Sequence, residues 1–239
     1  MSVDHRAVIA AHNNADLYEA MFSAHGLAYQ RLPFAFVGKD RPLPFYSNLT
    51  VLSPDHEAEI IQEIKHIAAQ FEGVVGLKDS FCQLDLAAHG FDTLFGASWI
   101  WRDAGVQTMA SHWQPIETHA DLALWEEGWK KNGSATERRM FTADLLNRDD
   151  MVFLGLKTGG EIEAGCIANR SENCIGLSNV FARAASSAVF SQATAAVSAI
   201  APGLPIVGYE SGVDLEHARS AGFDTVGDLR ILVAKNAAF

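Results

Sequence analysis

Cysteine and positive charge are both scarce in this chain, and each scarcity removes a class of protein. Its three cysteines, Cys82, Cys166 and Cys174, form no C-x-x-C pair and no close cluster with histidine. A disulfide-stapled scaffold and a structural zinc site are therefore excluded, and a reducing cytoplasm suits the free thiols. His112 and His119 have no third ligand near them, so no metal site is expected. Lys and Arg total 18 against 29 Asp and Glu, a net charge of −11. Nonspecific attraction to nucleic acid or to an anionic membrane is opposed by that charge. There is also no clean apolar span: the least charged stretch, 184–209, is interrupted by Ser, Gln, Thr, Pro and Gly and reads as an amphipathic helix. Asp4 precedes only a short apolar run, unlike the basic start and apolar core of a signal peptide, so the chain reads as a mature cytoplasmic protein. Neither a G-x-S-x-G elbow nor a P-loop lysine is present.

What remains is a globular composition of 49% hydrophobic and 20% charged residues, in 239 residues that fit one large domain or two small ones. A first helix is expected from Asn14, with Leu17, Tyr18, Met21 and Phe22 on one face and Gly26 at its end. Residues 28–37 and 45–52 read as two strands, or as one strand and an extended loop. Ser53 is expected to cap a helix with Pro54 at its first position and Ile60, Ile64, Ile67 and Phe71 as its stripe. A strand at 74–77, a short helix ended by Gly90 and the strand FDTLFGASWIWR follow. The weakly patterned segment 103–111 marks a boundary, dividing the chain into halves 1–105 and 106–239. Beyond it, Thr118 with Asp121 and Ser134 with Glu137 predict two capped helices. Strands 151–157 and 161–169 are joined by Thr158-Gly159-Gly160, a hairpin signal. A strand at 174–182, helix 186–201, strand 205–209, short helix 213–221 and a closing strand from 225 complete the order.

The halves resemble one another. Ala-His-Gly-Phe-Asp-Thr (88–93) returns as Ser-Ala-Gly-Phe-Asp-Thr (220–225), and Val75-Gly76 returns as Val207-Gly208, both 132 residues on; Ser47-Asn48 returns as Ser178-Asn179 after 131. Helix punctuation alone accounts for Gly90 and Gly222, but three matches in one order favour duplication, with a truncated first copy.

The second half, with its hairpin, third strand, amphipathic helix, strand, short helix ending in Gly222-Phe223 and last strand, resembles the GCN5-related N-acetyltransferase (GNAT) superfamily. The whole chain then resembles a tandem GNAT protein: an α/β (α+β) fold of mixed, mainly antiparallel sheets flanked by helices. The resemblance implies acetyl-CoA as cosubstrate and transfer of an acyl group to a small-molecule amine or a peptide, with neither nucleic acid nor membrane as partner and a homodimer allowed. The family's R/Q-x-x-G-x-G/A loop, whose backbone N–H groups hold pyrophosphate, corresponds to Arg183-Ala184-Ala185-Ser186-Ser187-Ala188, with Ser186 where glycine is expected. Asn179, Val180, Phe181 and Ala182 would hold the pantetheine arm and the thioester carbonyl. In the first copy the same place reads Ser53-Pro54-Asp55-His56-Glu57, which lacks a donor at Pro54 and repels phosphate. The family's tyrosine falls at Ala218. Tyr209 is therefore the candidate hydroxyl for the leaving thiolate, and Glu210 and His217 are candidates for base or relay. A catalytically inactive GNAT-fold protein that binds a small molecule or a protein partner is the alternative.

Overall fold

The protein is described by a computed structural model over residues 3–105, 112–184 and 188–235. In chain order its elements are α1 (His5–Ala24), β1 (Tyr29–Arg31), β2 (Ala35–Gly38), β3 (Leu49–Val51), α2 (Glu57–Gln70), β4 (Val74–Asp79), β5 (Asp92–Arg102), β6 (Gln114–Pro115) and α3 (His119–Lys131). Then follow β7 (Met151–Thr158), β8 (Glu161–Arg170), β9 (Ile175–Ala182), α4 (Val189–Ile200), β10 (Ile206–Glu210), α5 (Gly212–Ser220) and β11 (Asp224–Lys235). Single 3₁₀ turns at Ala87–His89 and Ala143–Asn147 complete the list. The mixed sheets and flanking helices are the α/β architecture expected.

Two compact units emerge, Met1–Trp99 with Val226–Phe239, and Ile100–Thr225. They differ from the halves 1–105 and 106–239 mainly in the closing strand. β11 pairs antiparallel with β4, from Arg230 opposite Asp79 to Lys235 opposite Val74, so the last strand belongs with the first unit. β5 gives residues up to Trp99 to the first unit and the rest to the second. Sequence spacing carries no signal for such a long-range pairing.

Within the first unit, β1, β2 and β3 form an antiparallel meander, and α2 carries the chain over to β4, parallel to β3. α1 starts at His5 rather than near Asn14, because Asp4 accepts a hydrogen bond from the Arg6 amide at 2.9 Å. Its first turns bury Ala7, Ala10, Ala11 and Ala15, side chains too small to print a strong apolar periodicity. Asn14 is thus mid-helix, and its side-chain oxygen accepts from Lys78 Nζ at 2.6 Å. Lys78 is fully buried, and its ammonium lies 4.8 Å from the centroid of the Tyr18 ring. α2 starts at Glu57, since Ser53 accepts from Asp55 in a local turn and caps nothing further. Ile60, Ile64 and Ile67 form its buried stripe as expected, against Ala35, Val37, Leu49 and Val75.

The second unit repeats that order with longer strands. β7, β8 and β9 form an antiparallel meander, and α4 carries the chain to β10, parallel to β9. The β7–β8 turn has Gly159 at φ 60° and Gly160 at φ 88°, the doubly positive pair a tight hairpin needs. Thr118 caps α3 through the Asp121 amide at 3.1 Å, as its spacing predicts. The second expected capped helix, from Ser134, does not form. Instead the buried Glu126 carboxylate of α3 accepts from the amides of Met140 (2.8 Å) and Phe141 (3.4 Å), which draws that backbone out of a helical path, and only the 3₁₀ turn follows. The first copy is therefore shortened strand by strand: its meander is present, with strands of 3 and 4 residues where the second copy has 8 and 10.

Trp125 organises the second core. It is fully buried, donates from Nε1 to the Leu154 carbonyl at 2.9 Å, and meets Phe141, Phe153 and Phe181 edge-on at 5.0–5.2 Å. Gly165 is required beside it, because a Cβ there would lie 2.3 Å from Trp125 Nε1. Trp125→Ala is expected to cost about 3–5 kcal/mol in urea unfolding, the usual loss for a buried large aromatic; a cost below about 1 kcal/mol would contradict this packing.

Candidate active site

In the second unit the parallel ladder between β9 and β10 is short. Its partners are Ile175 with Ile206 and Gly176 with Val207. At Gly208 the strands are still so close that a Cβ would stand 2.6 Å from the Leu177 carbonyl oxygen, which only glycine tolerates without displacement. β9 then bulges against β8. Ile167 faces Ser178 and Gly165 faces Phe181, so two residues, Asn179 and Val180, oppose Cys166, and Asn179 takes φ +53°. Beyond the bulge β9 and β10 border a cavity of about 540 Å³.

Val180, Phe181, Ala182, Arg183 and Ala184 line one side of this cavity, and Glu210, Val213, Asp214 and His217 line another. Asn132, just past α3, and Val189 and Phe190, in the first turn of α4, complete it. Most of the residues singled out in the sequence are thus brought together. Asn179 forms the bulge and does not line the cavity. Tyr209 does not line it either; it is half-buried and, one residue from Glu210, directed by the strand's two-residue period to the opposite face of the sheet. Ala185, Ser186 and Ser187 lie outside the described residues. Ala188 is the N-cap of α4, which begins at Val189 rather than at 186, and it offers no side-chain cap to the first amides of that helix.

The cavity has two electrostatic ends. At the α4 end stands Arg183, whose Nη1 donates to Glu161, while its buried Nε has no partner among the described residues. At the other end the Glu210 carboxyl makes no hydrogen bond or ion pair among the described residues. Burial pushes its pKa up to about 8, with a further push from the negative charge of Asp214. Asp214 and His217 are one helical turn apart on α5, with Oδ1 and Nδ1 separated by 3.9 Å. Sequence reading missed Asp214, although its i,i+3 spacing from His217 on a short helix was available. Asn132 and Val213 carried no signal.

The first unit has a smaller pocket at the corresponding strand ends, about 100 Å³, lined by Ser53, Pro54, Glu57 and Asp79 among others. There β3 and β4 stay paired as far as Thr50 opposite Lys78, one residue short of the strand's last acid. That acid, Asp79, is buried and saturated. It accepts from the amides of Gln83 (3.3 Å) and Leu84 (3.1 Å) and from Arg230 Nε (3.0 Å) and Nη2 (2.9 Å).

No protein-family model matches the chain, and no curated protein matches it. Solved structures do. A GCN5-related N-acetyltransferase from Kribbella flavida superposes with a TM-score of 0.57 at 12% identity, over 95% of each chain. A tandem GNAT protein from the clavulanic acid biosynthesis pathway gives 0.53 at 9% identity, over 96% of each. N-myristoyltransferase from Saccharomyces cerevisiae, solved with bound myristoyl-CoA, gives 0.54 at 8% identity over 89% of this chain and 67% of its own. The fold is that of the GCN5-related N-acetyltransferases. Among the described residues, no helix is long and apolar enough to cross a membrane.

The state of Glu210 has a consequence for stability. The unfolded chain releases this proton near 4.5, the ordinary value for a glutamate, and the folded chain only near 8, so between those values the unfolded state binds fewer protons and stability falls as pH rises. Glu210→Gln removes the effect. The melting midpoint of the variant relative to wild type is expected to climb from pH 5 to pH 8.5; a pH-independent difference would mean that the carboxyl titrates normally.

Proposed function

We propose that the second unit is an acyltransferase site, moving an acyl group from CoA to an amine, either a small molecule or a peptide. The observation that carries this reading is the cavity at the parting of β9 and β10, with a cationic end at Arg183 and α4 and titratable groups at the other. The first amides of α4, which the Ala188 side chain does not cap, and Arg183 Nε, without a partner among the described residues, are donors suited to a pyrophosphate. Val180, Phe181 and Ala182, on the strand edge along the cavity, suit the pantetheine arm and the thioester carbonyl. Glu210 and His217 lie where an acceptor nitrogen would enter, and Tyr209 has no part in this arrangement. The fold likeness to enzymes of acyl-CoA chemistry supports the same reading, although a scaffold alone does not define a reaction.

The first unit is a poor second site. Its pocket is about a fifth as large, Pro54 lacks an amide donor, and Glu57 and Asp79 would face the phosphates.

One mole of acetyl-CoA per chain is therefore expected in calorimetric titration. At a ligand concentration about 100 times the dissociation constant, linkage gives about 2.7 kcal/mol of stabilisation and a clear rise in melting midpoint. Arg183→Glu is expected to weaken binding at least about 10-fold, the loss of one charge-assisted contact and its replacement by repulsion. Undiminished affinity in that folded variant would remove Arg183 from the site. No heat and no shift at millimolar acetyl-CoA would leave the catalytically inactive binding protein as the better description.

A further inference from the structure

Aminolysis of a thioester breaks a C–S bond and leaves the electron pair on sulfur, which must then be protonated. Few groups lining the cavity can do this. Arg183, from the end of β9, is committed to Glu161, and a guanidinium does not release its proton near neutrality. Asp214, on α5, is 74% exposed and faces water. His217, also on α5, turns Nδ1 toward Asp214. Val189 and Phe190, from α4, and Asn132, beyond α3, bring no titratable group. Glu210 stands apart from these, since its carboxyl lines the cavity without a partner among the described residues.

We infer that Glu210 is the general acid of the transfer, giving its carboxyl proton to the departing sulfur, an inference that rests on the acyltransferase reading. The comparison with the first unit supports it. There the acid ending the parallel strand is clamped by Arg230 and by the Gln83 and Leu84 amides. In the second unit no cation meets the carboxyl that ends β10 among the described residues, and burial together with the charge of Asp214 pushes its pKa up to about 8. The steps balance. The free amine attacks the carbonyl carbon, a C–N bond forms, the C–S bond breaks, and Glu210 Oε–H passes its proton to sulfur. The new amide nitrogen then loses its extra proton to the Glu210 carboxylate, directly or through His217, which restores the starting carboxyl. The products are an amide and a free thiol. This reverses the base role that the sequence suggests for Glu210.

The test is the dependence of rate on the leaving thiol, with one amine and a series of acetyl thioesters from alkyl to aryl thiols, each normalised to its uncatalysed aminolysis. An aryl thiolate leaves without protonation, so an acid matters little to it. Glu210→Gln is expected to slow transfer from acetyl-CoA and alkyl thioesters by about 10²–10⁴-fold, and from aryl thioesters by less than about 10-fold, with its affinity for acetyl-CoA unchanged. In the wild type, kcat with acetyl-CoA should fall as pH rises above about 8, and this limb should vanish in the variant. The wild-type profile is a readout that does not depend on the variant folding. An equal loss with every thiol, or no loss, overturns the acid role. If wild-type protein binds acetyl-CoA and transfers acetyl without that limb, the acyltransferase reading stands and this inference falls. Absence of wild-type binding and turnover removes both.

Discussion

Everything at the candidate site depends on where a parallel β-ladder stops. In the second unit the pairing of β9 with β10 ends at Gly176 and Val207, three residues before the strand's terminal Glu210. In the first unit the pairing of β3 with β4 runs to Thr50 and Lys78, one residue before Asp79. Strands that remain hydrogen-bonded stand about 4.8 Å apart and leave no room for a ligand. Strands released early part, and the backbone edge they uncover becomes available to another molecule. The bulge at Asn179 makes the release abrupt, because an extra residue bends β9 and increases its twist. Trp125 holds the other face of β9 still by packing on Phe181, a wall of the cavity.

The same chain therefore contains one topology in two electrostatic conditions. Along the chain each half runs meander, crossover helix, parallel strand, short helical segment and long strand, although the second long strand, β11, belongs with the first unit. In the first, Asn48 is a further stitch. Its amide donates to the Gly76 carbonyl at 2.8 Å and its side-chain oxygen accepts from the Gly76 amide at 2.9 Å, which ties the strand entry shut. The matching asparagine, Asn179, makes a bulge instead. A short meander, a buried Lys78 held by Asn14, and Asp79 clamped by Arg230 turn the first unit's polar residues inward, toward stability. The second unit leaves Arg183 Nε buried without a partner and the half-buried Glu210 carboxyl without a hydrogen bond or ion pair among its described residues, both at the cavity.

Local signals in the sequence were reliable where the structure is local. Thr118 with Asp121, the Thr158-Gly159-Gly160 turn, the Ile60-Ile64-Ile67 stripe and the Gly90 and Gly222 punctuation all act as their chemistry requires. Expectations failed where a distant partner intervened. Ser134 and Glu137 have the spacing of a capped helix, yet Glu126 from another element claims the following amides. β11 reads as the end of the second half and pairs with β4 of the first unit. At the candidate site, the repeat and the Gly-Phe ending point to strand ends that border the cavity, and Arg183, Glu210 and His217 are in its lining. Tyr209 was legible as a residue but not as a direction: whether a strand residue faces the cavity or the opposite side turns on a single step of register.

A net charge of −11 opposes the polyanionic cosubstrate proposed for this chain, and the arrangement of charges bears on that difficulty. At physiological ionic strength exposed charges are screened beyond about 8 Å, so the acidic surface sets the approach of a ligand more than its bound energy. Inside the cavity the nearest groups decide. Arg183 and the first turn of α4 supply positive potential at one end, where backbone dipoles act over only a turn of helix. Glu210 would oppose them if it were ionised, at the opposite end of a cavity only some 540 Å³ in volume. Kept neutral, it would add no charge that a phosphate must overcome, and on the proposed reading it would retain a proton for the departing sulfur. On that reading, burial, which destabilises the ionised carboxyl, would serve binding at one end of the cavity and chemistry at the other.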